Sequence, residues 1–370
     1  MTQRVLILGG QGRIGSSVAL DILTYTHAHV TITGRQPRST AKRLTHPQKS
    51  PEFLPLELAD WEALKRAIAD ADLVIHCAGP FHRRDARVLQ LCIELGVNYL
   101  DVSDSVEFTR RALTYQDAAQ QSGITAVINT GIFPGISNSI VRQGIEQFDK
   151  PETIHLGYVV GGSGGAGVTV MRTTFLGLVR QFRAWVNGQW QTIKPYSDRE
   201  TIQLPKPYGK VGVYWYEMPE TVTLAESFPV DTVITKFGSA PDFYNHLTWI
   251  TAHWFPKSWL QNPSGIEFLS QVSYRMTTIT DRFSGIGVGI QARISGYKDN
   301  QECHYGLTVV HNNTAIAAGY GTGSIAQLVL SGKISKPGVW SVEAVLPTPL
   351  FANAMHERGL DLQHGWIKGD

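Results

Sequence analysis

A chain of 370 residues, 42% hydrophobic and 17% charged, carries enough apolar material for about two buried cores and none of the composition of disorder. Its formal net charge of +2 excludes a bulk electrostatic reason for nucleic acid or an anionic membrane as partner, since both require a large basic excess. The cysteines, Cys77, Cys92 and Cys303, are odd in number and lack CxxC spacing, so neither a disulfide framework nor a metal site is expected, and a reducing, cytoplasmic setting is.

Residues 5–8 are a short apolar run bounded by glycines, which reads as a strand buried on both faces, and 14–23 carry apolar residues at helical spacing. No charged leader precedes this strand and no run of about eighteen uncharged apolar residues occurs, so neither export nor a transmembrane segment is expected. Residues 30–33, ending at Gly34, and 53–58 repeat the strand signal, and 61–69 read as a helix capped by Asp60. A strand over 73–77 closes on "AGPF", and a helix over 87–95 stops at Gly96. Strands over 99–102 and 125–129 follow, with one helix over 106–121 between them and Asp101 and Asp104 read as its caps. Strands alternating with helices predict an α/β fold with a doubly wound parallel sheet.

The alternation stops near "NTGIFPGISN". Strands are predicted over 154–160, 211–216, 230–237, 283–294 and 304–311, with helices over 173–183 and 243–252, the makings of a mixed or antiparallel sheet covered on one face. An exposed edge on such a sheet suits a homodimer. Residues 243–269 are dense in large aromatics and leave three readings open: core, the wall of a pocket, or a surface resting on a membrane or a second copy. Helices over 324–331 and 348–358, the second stopped by Gly359, end the chain.

The first loop carries the chemistry. Gly10, Gly12 and Gly15 follow a strand and open a helix, the context in which GxGxxG marks a diphosphate site, because the free amides at the helix N-terminus attract anions and a Cβ would hold them off. The Gly10–Gln11–Gly12 stretch is the expected contact. At the end of the second strand, where an Asp or Glu would bind the ribose hydroxyls of NAD, the chain instead reads "TGRQPRSTAKR". Gly34, Arg35, Arg38 and Ser39 there suit a 2′-phosphate, so NADP (NADPH) is the expected cofactor.

The glycine loop "GGQGRIG", the segment "HCAGPFHRRDARVLQLCIELGVNYLDVSD" and "GIFPGISN" resemble the saccharopine dehydrogenase-like oxidoreductases, and the tail "GVWSVEAVLPTPLFANAMHERGL" is similar to that family's C-terminal segment. The resemblance implies a Rossmann-type domain over 1–135, an inserted α+β domain for substrate binding and dimerisation over 136–322, and a C-terminal helical segment over 323–370 returning to the first domain. It implies that Gly10, Gly12, Arg13 and Ile14 meet the diphosphate and Arg35 the adenosine phosphate. Asp60 would then lie near the adenine, and Ala78, Gly79 and Pro80, with Cys77 before them, would line the nicotinamide side.

Phe81 and Phe133 depart from that pattern, standing where saccharopine-forming members carry Tyr and Asp. Two rings in place of two polar groups favour a largely apolar small molecule as substrate, its C=N, C=O or C=C bond exchanging hydride with NADP(H). Two alternatives stay open: a saccharopine-type imine reductase of amino-acid or polyamine metabolism, and a protein that binds NADPH and senses it without catalysis. His82 is the nearest titratable group to Pro80 and the expected proton donor, and Arg172, past the "GGSGGAGVTVM" loop, is the expected anchor for a polar group of the substrate.

Overall fold

The computed structural model of the chain describes residues 2–37, 49–162, 168–284 and 286–367. It contains two compact units, Met1–Ser139 with Ala315–Arg358, and Ile140–Thr314 with Gly359–Asp370.

In the first unit, β1 (Arg4–Leu8) leads through the glycine loop into α1 (Arg13–Tyr25), and β2 (His29–Gly34) and β3 (Glu52–Pro55) extend the sheet to one side. After α2 (Trp61–Ala69) the chain crosses to the other side with β4 (Leu73–His76), α3 (Arg87–Leu95), β5 (Asn98–Asp101), α4 (Val106–Leu113), α5 (Gln116–Ser122) and β6 (Thr125–Ile128). A seventh strand, Gly338–Ser341, pairs with β6, and every pairing in this sheet is parallel. The order therefore reverses between β1 and β4, and in such sheets ligands bind outside the carboxyl ends of the strands at that reversal. Val5, Leu6, Ile7 and Leu8 are at most 3% exposed, as a strand covered by helices on both faces requires.

The helix expected over 106–121 is two helices. The Thr114 hydroxyl donates to the carbonyl of Arg111 at 2.7 Å, and this local bond competes with the helical ladder where the chain turns at Tyr115. The helix expected from 324 begins ten residues earlier, as Thr314–Leu330. Its glycines conceal it in the sequence and explain it in the structure. A Cβ on Gly319 would lie 2.9 Å from the backbone of Ser17, and one on Gly323 would meet the Asp21 carboxylate, so the glycines allow this helix to lie directly on α1.

The second unit is a nine-stranded mixed sheet. Lys150–Gly161 sits at its centre, parallel to Thr232–Ala240 and antiparallel to Gly287–Lys298. Gly209–Trp215 and Glu200–Leu204 continue one side, Gln301–His311 and Leu362–Ile367 the other, and the hairpin Phe182–Val186/Gln189–Ile193 attaches to Thr232–Ala240. The expected helix over 173–183 lies earlier, at Val168–Gly177, and the strand expected from 283 starts at Gly287 because a helix, Pro263–Ser284, runs through its first residues. The end of the chain also differs: past Gly359, which sits at φ +68°, it forms a strand on Gln301–His311 rather than more helix. Among the described residues no helix is long and apolar enough to cross a membrane.

Candidate active site

The glycine loop divides into glycines that packing demands and one that it does not. A Cβ on Gly10 would lie 2.6 Å from the side chain of Ile32, and one on Gly15 would lie 2.5 Å from the carbonyl of Gly9, so both let the strand, loop and helix close on one another. Gly12 meets only the Gly9 carbonyl, at 3.2 Å. It is exposed, caps α1 without a side-chain bond, and stands in front of the first turn of that helix, which opens at Arg13 and Ile14. A diphosphate fits the space a side chain at Gly12 would fill. Gln11 is buried against Gly34, its carboxamide lying where a Cβ of Gly34 would go.

Arg35 follows β2 directly and is exposed, with no hydrogen bond or ion pair on its guanidinium among the described residues. Arg38 and Ser39 lie outside the described residues. Asp60 caps α2, its carboxylate accepting the Ala63 amide at 3.0 Å.

The loop after β4 lies against the glycine loop. A Cβ on Gly9 would be 2.8 Å from Cα of Ala78, and Cys77 N–H donates to the Leu8 carbonyl at 2.8 Å. Burial pushes the thiols of Cys77 and Cys92 up, away from the thiolate form. Arg84 was not among the residues singled out from the sequence, yet its Nε donates to the Ala78 carbonyl at 2.9 Å and its Nη2 to the Gly79 carbonyl at 3.3 Å. Two carbonyls six and five residues upstream thus fix the loop that leads to Pro80. The motif shows an arginine there, but only the fold turns it back on the chain.

Phe81 is 4% exposed and packs its ring 5.0 Å from both His76 and Phe108. It belongs to the core beneath the site and only edges the space beyond, which departs from its expected place as an open substrate wall. That space is a half-open cavity of about 260 Å³ into which Arg83, Arg84, Arg111 and Ser105 face, with His82 exposed at its rim. His76, at the end of β4, is buried, and burial with the nearby positive charge of Arg84 lowers its pKa to about 3, so it is neutral.

Asp101, opposite His76 in the β4–β5 register, is fully buried. Its Oδ1 accepts the amides of Ser103 and Asn129, each at 3.0 Å, but burial prevails and raises its pKa to about 6. It ties β5 to the end of β6 rather than capping α4, a task done by Ser105, whose Oγ accepts the Phe108 amide at 3.3 Å. Phe133 is half-buried in the loop after β6, which Asn138 braces by accepting the Gly135 amide at 2.8 Å and donating to Glu343 at 2.8 Å. The ends of β1, β4, β5 and β6 thus bring the glycine loop, Ala78–Arg84, Ser103–Ser105 and the Phe133 loop to one edge of the sheet.

Arg172, the expected anchor for a polar group of the substrate, is engaged in an ion pair. In the second unit its guanidinium donates to the Glu267 carboxylate, at 2.9 and 2.7 Å, and joins two helices. A pairing across 95 residues of chain leaves no local trace in sequence. The aromatic stretch divides: Tyr244, Leu260 and Ile266 are buried, whereas Phe243, Trp254, Trp259 and Phe268 are exposed. Among the described residues no cluster of His, Cys, Asp and Glu is arranged to hold a metal.

Residues 5–127 match the family of the saccharopine dehydrogenase NADP binding domain. The chain is 26% identical over 323 residues to carboxyaminopropylagmatine dehydrogenase of Synechocystis sp., covering 78% of each protein. It is 23% identical over 342 residues to carboxynorspermidine synthase of Vibrio cholerae, covering 83% of this chain and 80% of that one. Its fold is that of apo saccharopine dehydrogenase (L-Glu forming) from Saccharomyces cerevisiae, with a TM-score of 0.67 at 15% identity over 99% of this chain and all of the other. Homospermidine synthase of Legionella pneumophila, solved with NAD, superposes equally well, with a TM-score of 0.67 at 11% identity over 100% of this chain and 94% of that one.

Proposed function

The chain belongs to the saccharopine dehydrogenase-like oxidoreductases, and we propose that it moves hydride between NADP(H) and the carbon of a C=N bond in an amino-acid or polyamine conjugate. One observation carries the reading: Gly12, where a Cβ would meet only the Gly9 carbonyl, opens α1 from a glycine loop that packs at Gly9 on the β4 loop, and Arg84 holds that loop by its carbonyls. The amides of Arg13 and Ile14 would take the diphosphate, Arg35 with Arg38 and Ser39 the adenosine 2′-phosphate, and Ala78, Gly79 and Pro80 the nicotinamide side. The bound nucleotide supplies the hydride. The protein's part is to hold the acceptor carbon in place and handle one proton. His76 and Asp101 are sealed from solvent, so the exposed His82 is the group placed to exchange a proton with water and pass it to the substrate nitrogen.

The names of the polyamine relatives support a C=N bond over C=O or C=C. The burial of Phe81 weakens the alternative of an apolar substrate, because the ring packs in the core and the cavity beyond it is polar. The test is NADPH oxidation, followed by absorbance, with a diamine or agmatine mixed with an amino-acid aldehyde that forms the imine in solution. Saturable oxidation that His82→Asn slows without weakening NADPH binding supports the reading. Tight NADPH binding with no turnover on any imine would favour the non-catalytic sensor instead.

A further inference from the structure

Three helices of the second unit, Phe243–Trp254, Lys257–Gln261 and Pro263–Ser284, follow one another and show water an apolar face. The longest is turned inside out. Its buried positions include Ser270 and Thr277, whereas Phe268, Val272 and Ile279 share its exposed side with Arg275. Ile279 is 68% exposed, the reverse of what a helix lying on a core under water requires. Its hydroxyls ask nothing of water: Ser270 donates to the Ile266 carbonyl at 2.6 Å, and Thr277 and the exposed Thr278 donate to the Tyr274 carbonyl at 2.9 and 2.8 Å. The face extends past this helix. Trp259 lies 6.2 Å from Phe268 and 6.4 Å from Phe255 between ring centroids, and Trp254, 74% exposed, stands 6.2 Å from Trp249. Single exposed apolar residues are ordinary on a protein surface, but a contiguous set marks a contact.

Charge decides what covers it. From Phe243 to Thr280 the chain has one carboxylate, Glu267, and Arg172 holds it at 2.7 Å. The same stretch carries Lys257 and Arg275, with His246 and His253 exposed, and Arg275 has no hydrogen bond or ion pair among the described residues. A second copy would suit the apolar side chains but not this charge. A two-fold axis through the middle of the Phe268–Ile279 stripe sets two Arg275 guanidinium groups against each other with no acid to answer them. An anionic bilayer suits both, because Trp and Phe rings settle at its interface and its headgroups attract a cation. The stripe is about 16 Å long, about half of what crossing a bilayer needs, so the helix would lie along the surface. We propose that this face docks the protein on an anionic lipid bilayer, with Trp254, Trp259, Phe268 and Ile279 in the interfacial layer and Arg275 on the headgroup phosphates. Every residue of the face belongs to the second unit, so the assignment is independent of the hydride-transfer reading.

The test is flotation of the full chain with vesicles of phosphatidylcholine alone and of phosphatidylcholine mixed in equal parts with phosphatidylglycerol. Flotation with the mixed vesicles, weaker with phosphatidylcholine alone and reduced by salt, is expected. The double variant Trp254→Ser with Ile279→Ser should bind at least about tenfold more weakly, while Trp61→Ser, an exposed tryptophan of the first unit, should bind as wild type does. Arg275→Gln should cost about fivefold on the mixed vesicles and nothing on phosphatidylcholine. The substituted side chains are exposed, so the variants should fold, and unchanged melting temperatures verify this. Mixed vesicles with brominated acyl chains should quench part of the wild-type tryptophan fluorescence, a readout that needs no variant. No flotation with the mixed vesicles, equal binding to the two vesicle types, no quenching, or full binding by the double variant would each overturn the proposal. So would a wild-type dimer that the double variant turns into a monomer in the ultracentrifuge, which would give the face to a second copy.

Discussion

Gly12 and Gly15 belong to one motif but answer to different forces, and substitution separates them. A methyl at Gly15 would lie 2.5 Å from the Gly9 carbonyl oxygen and 2.8 Å from the Gly10 Cα, whereas one at Gly12 would meet a single atom, that oxygen, at 3.2 Å, a gap that a shift of a few tenths of an ångström relieves. Gly15→Ala should therefore lower the melting temperature by several degrees, in keeping with about 1–3 kcal/mol for an overpacked site. Gly12→Ala should leave melting nearly unchanged and weaken NADPH by about 10- to 100-fold, as about one charge-assisted amide bond worth about 1.5–3 kcal/mol is lost. Equal effects on melting would remove the distinction. Nothing in the described structure leans on Arg35, so its proposed contact with the 2′-phosphate can be tested without disturbing the fold. Arg35→Glu should cost about 10- to 100-fold in NADPH affinity and spare NADH, measured by competitive calorimetry. At this scale the glycines and Arg35 were legible because their meaning lies in spacing along a strand–turn–helix. Arg84, Arg172 and Phe81 were not, since each is defined by a partner that only the folded chain brings near.

The strands of the first unit are joined at their carboxyl ends by a buried polar network, and Asp101 is its hinge between β5 and β6. Beside the amides of Ser103 and Asn129 stand the Thr130 hydroxyl, which donates to the Asp101 carbonyl at 2.8 Å, and Asn129, which sits at φ 61° and donates to the Ser103 carbonyl at 2.8 Å. Burial raises the Asp101 carboxyl from its ordinary 3.8 to about 6, so the folded state holds this proton more tightly than the unfolded chain does. The sign follows: the contribution is fully present below pH 4 and is lost as pH rises through 6. Asp101→Asn keeps an oxygen to accept both amides and carries no titrating proton. Its stability relative to wild type should rise between pH 4 and pH 6, by an amount of order 1–3 kcal/mol, read from urea unfolding at each pH. Parallel wild-type and variant curves would show that Asp101 does not titrate there. Most elements of this unit were readable because apolar runs and turn residues recur in a regular alternation. Thr314–Leu330 was not, because its glycines, which read as loop, serve the close approach to α1.

At the level of the whole chain, each unit is assembled from two separate stretches, so neither can be cut out by a single boundary. The first unit takes its outermost strand, Gly338–Ser341, and the glycine-bearing helix from far downstream, and it buries Arg358 on Asp21 at 2.7 Å. The chain then leaves it at Gly359 to add Leu362–Ile367 to the edge of the second sheet. That last strand escaped sequence reading because its burial has no alternation, and an edge strand lies half in water. A chain ending at Arg358 should then lose only what the strand contributes. Six residue pairs with Gln301–His311 would go, and with them the packing of Trp366 on Phe148 and Tyr305. Aromatic pairs add about 0.5–1.5 kcal/mol each beyond their buried area, and the bare edge invites association. Unfolding of the shortened protein should show a weakened, aggregation-prone transition alongside one that NADPH still raises in proportion to its concentration, because the dinucleotide loop and Arg358 remain. If removing those residues abolished NADPH binding instead, the nucleotide site would depend on the second sheet, and the placement of cofactor recognition within the first unit alone would be wrong.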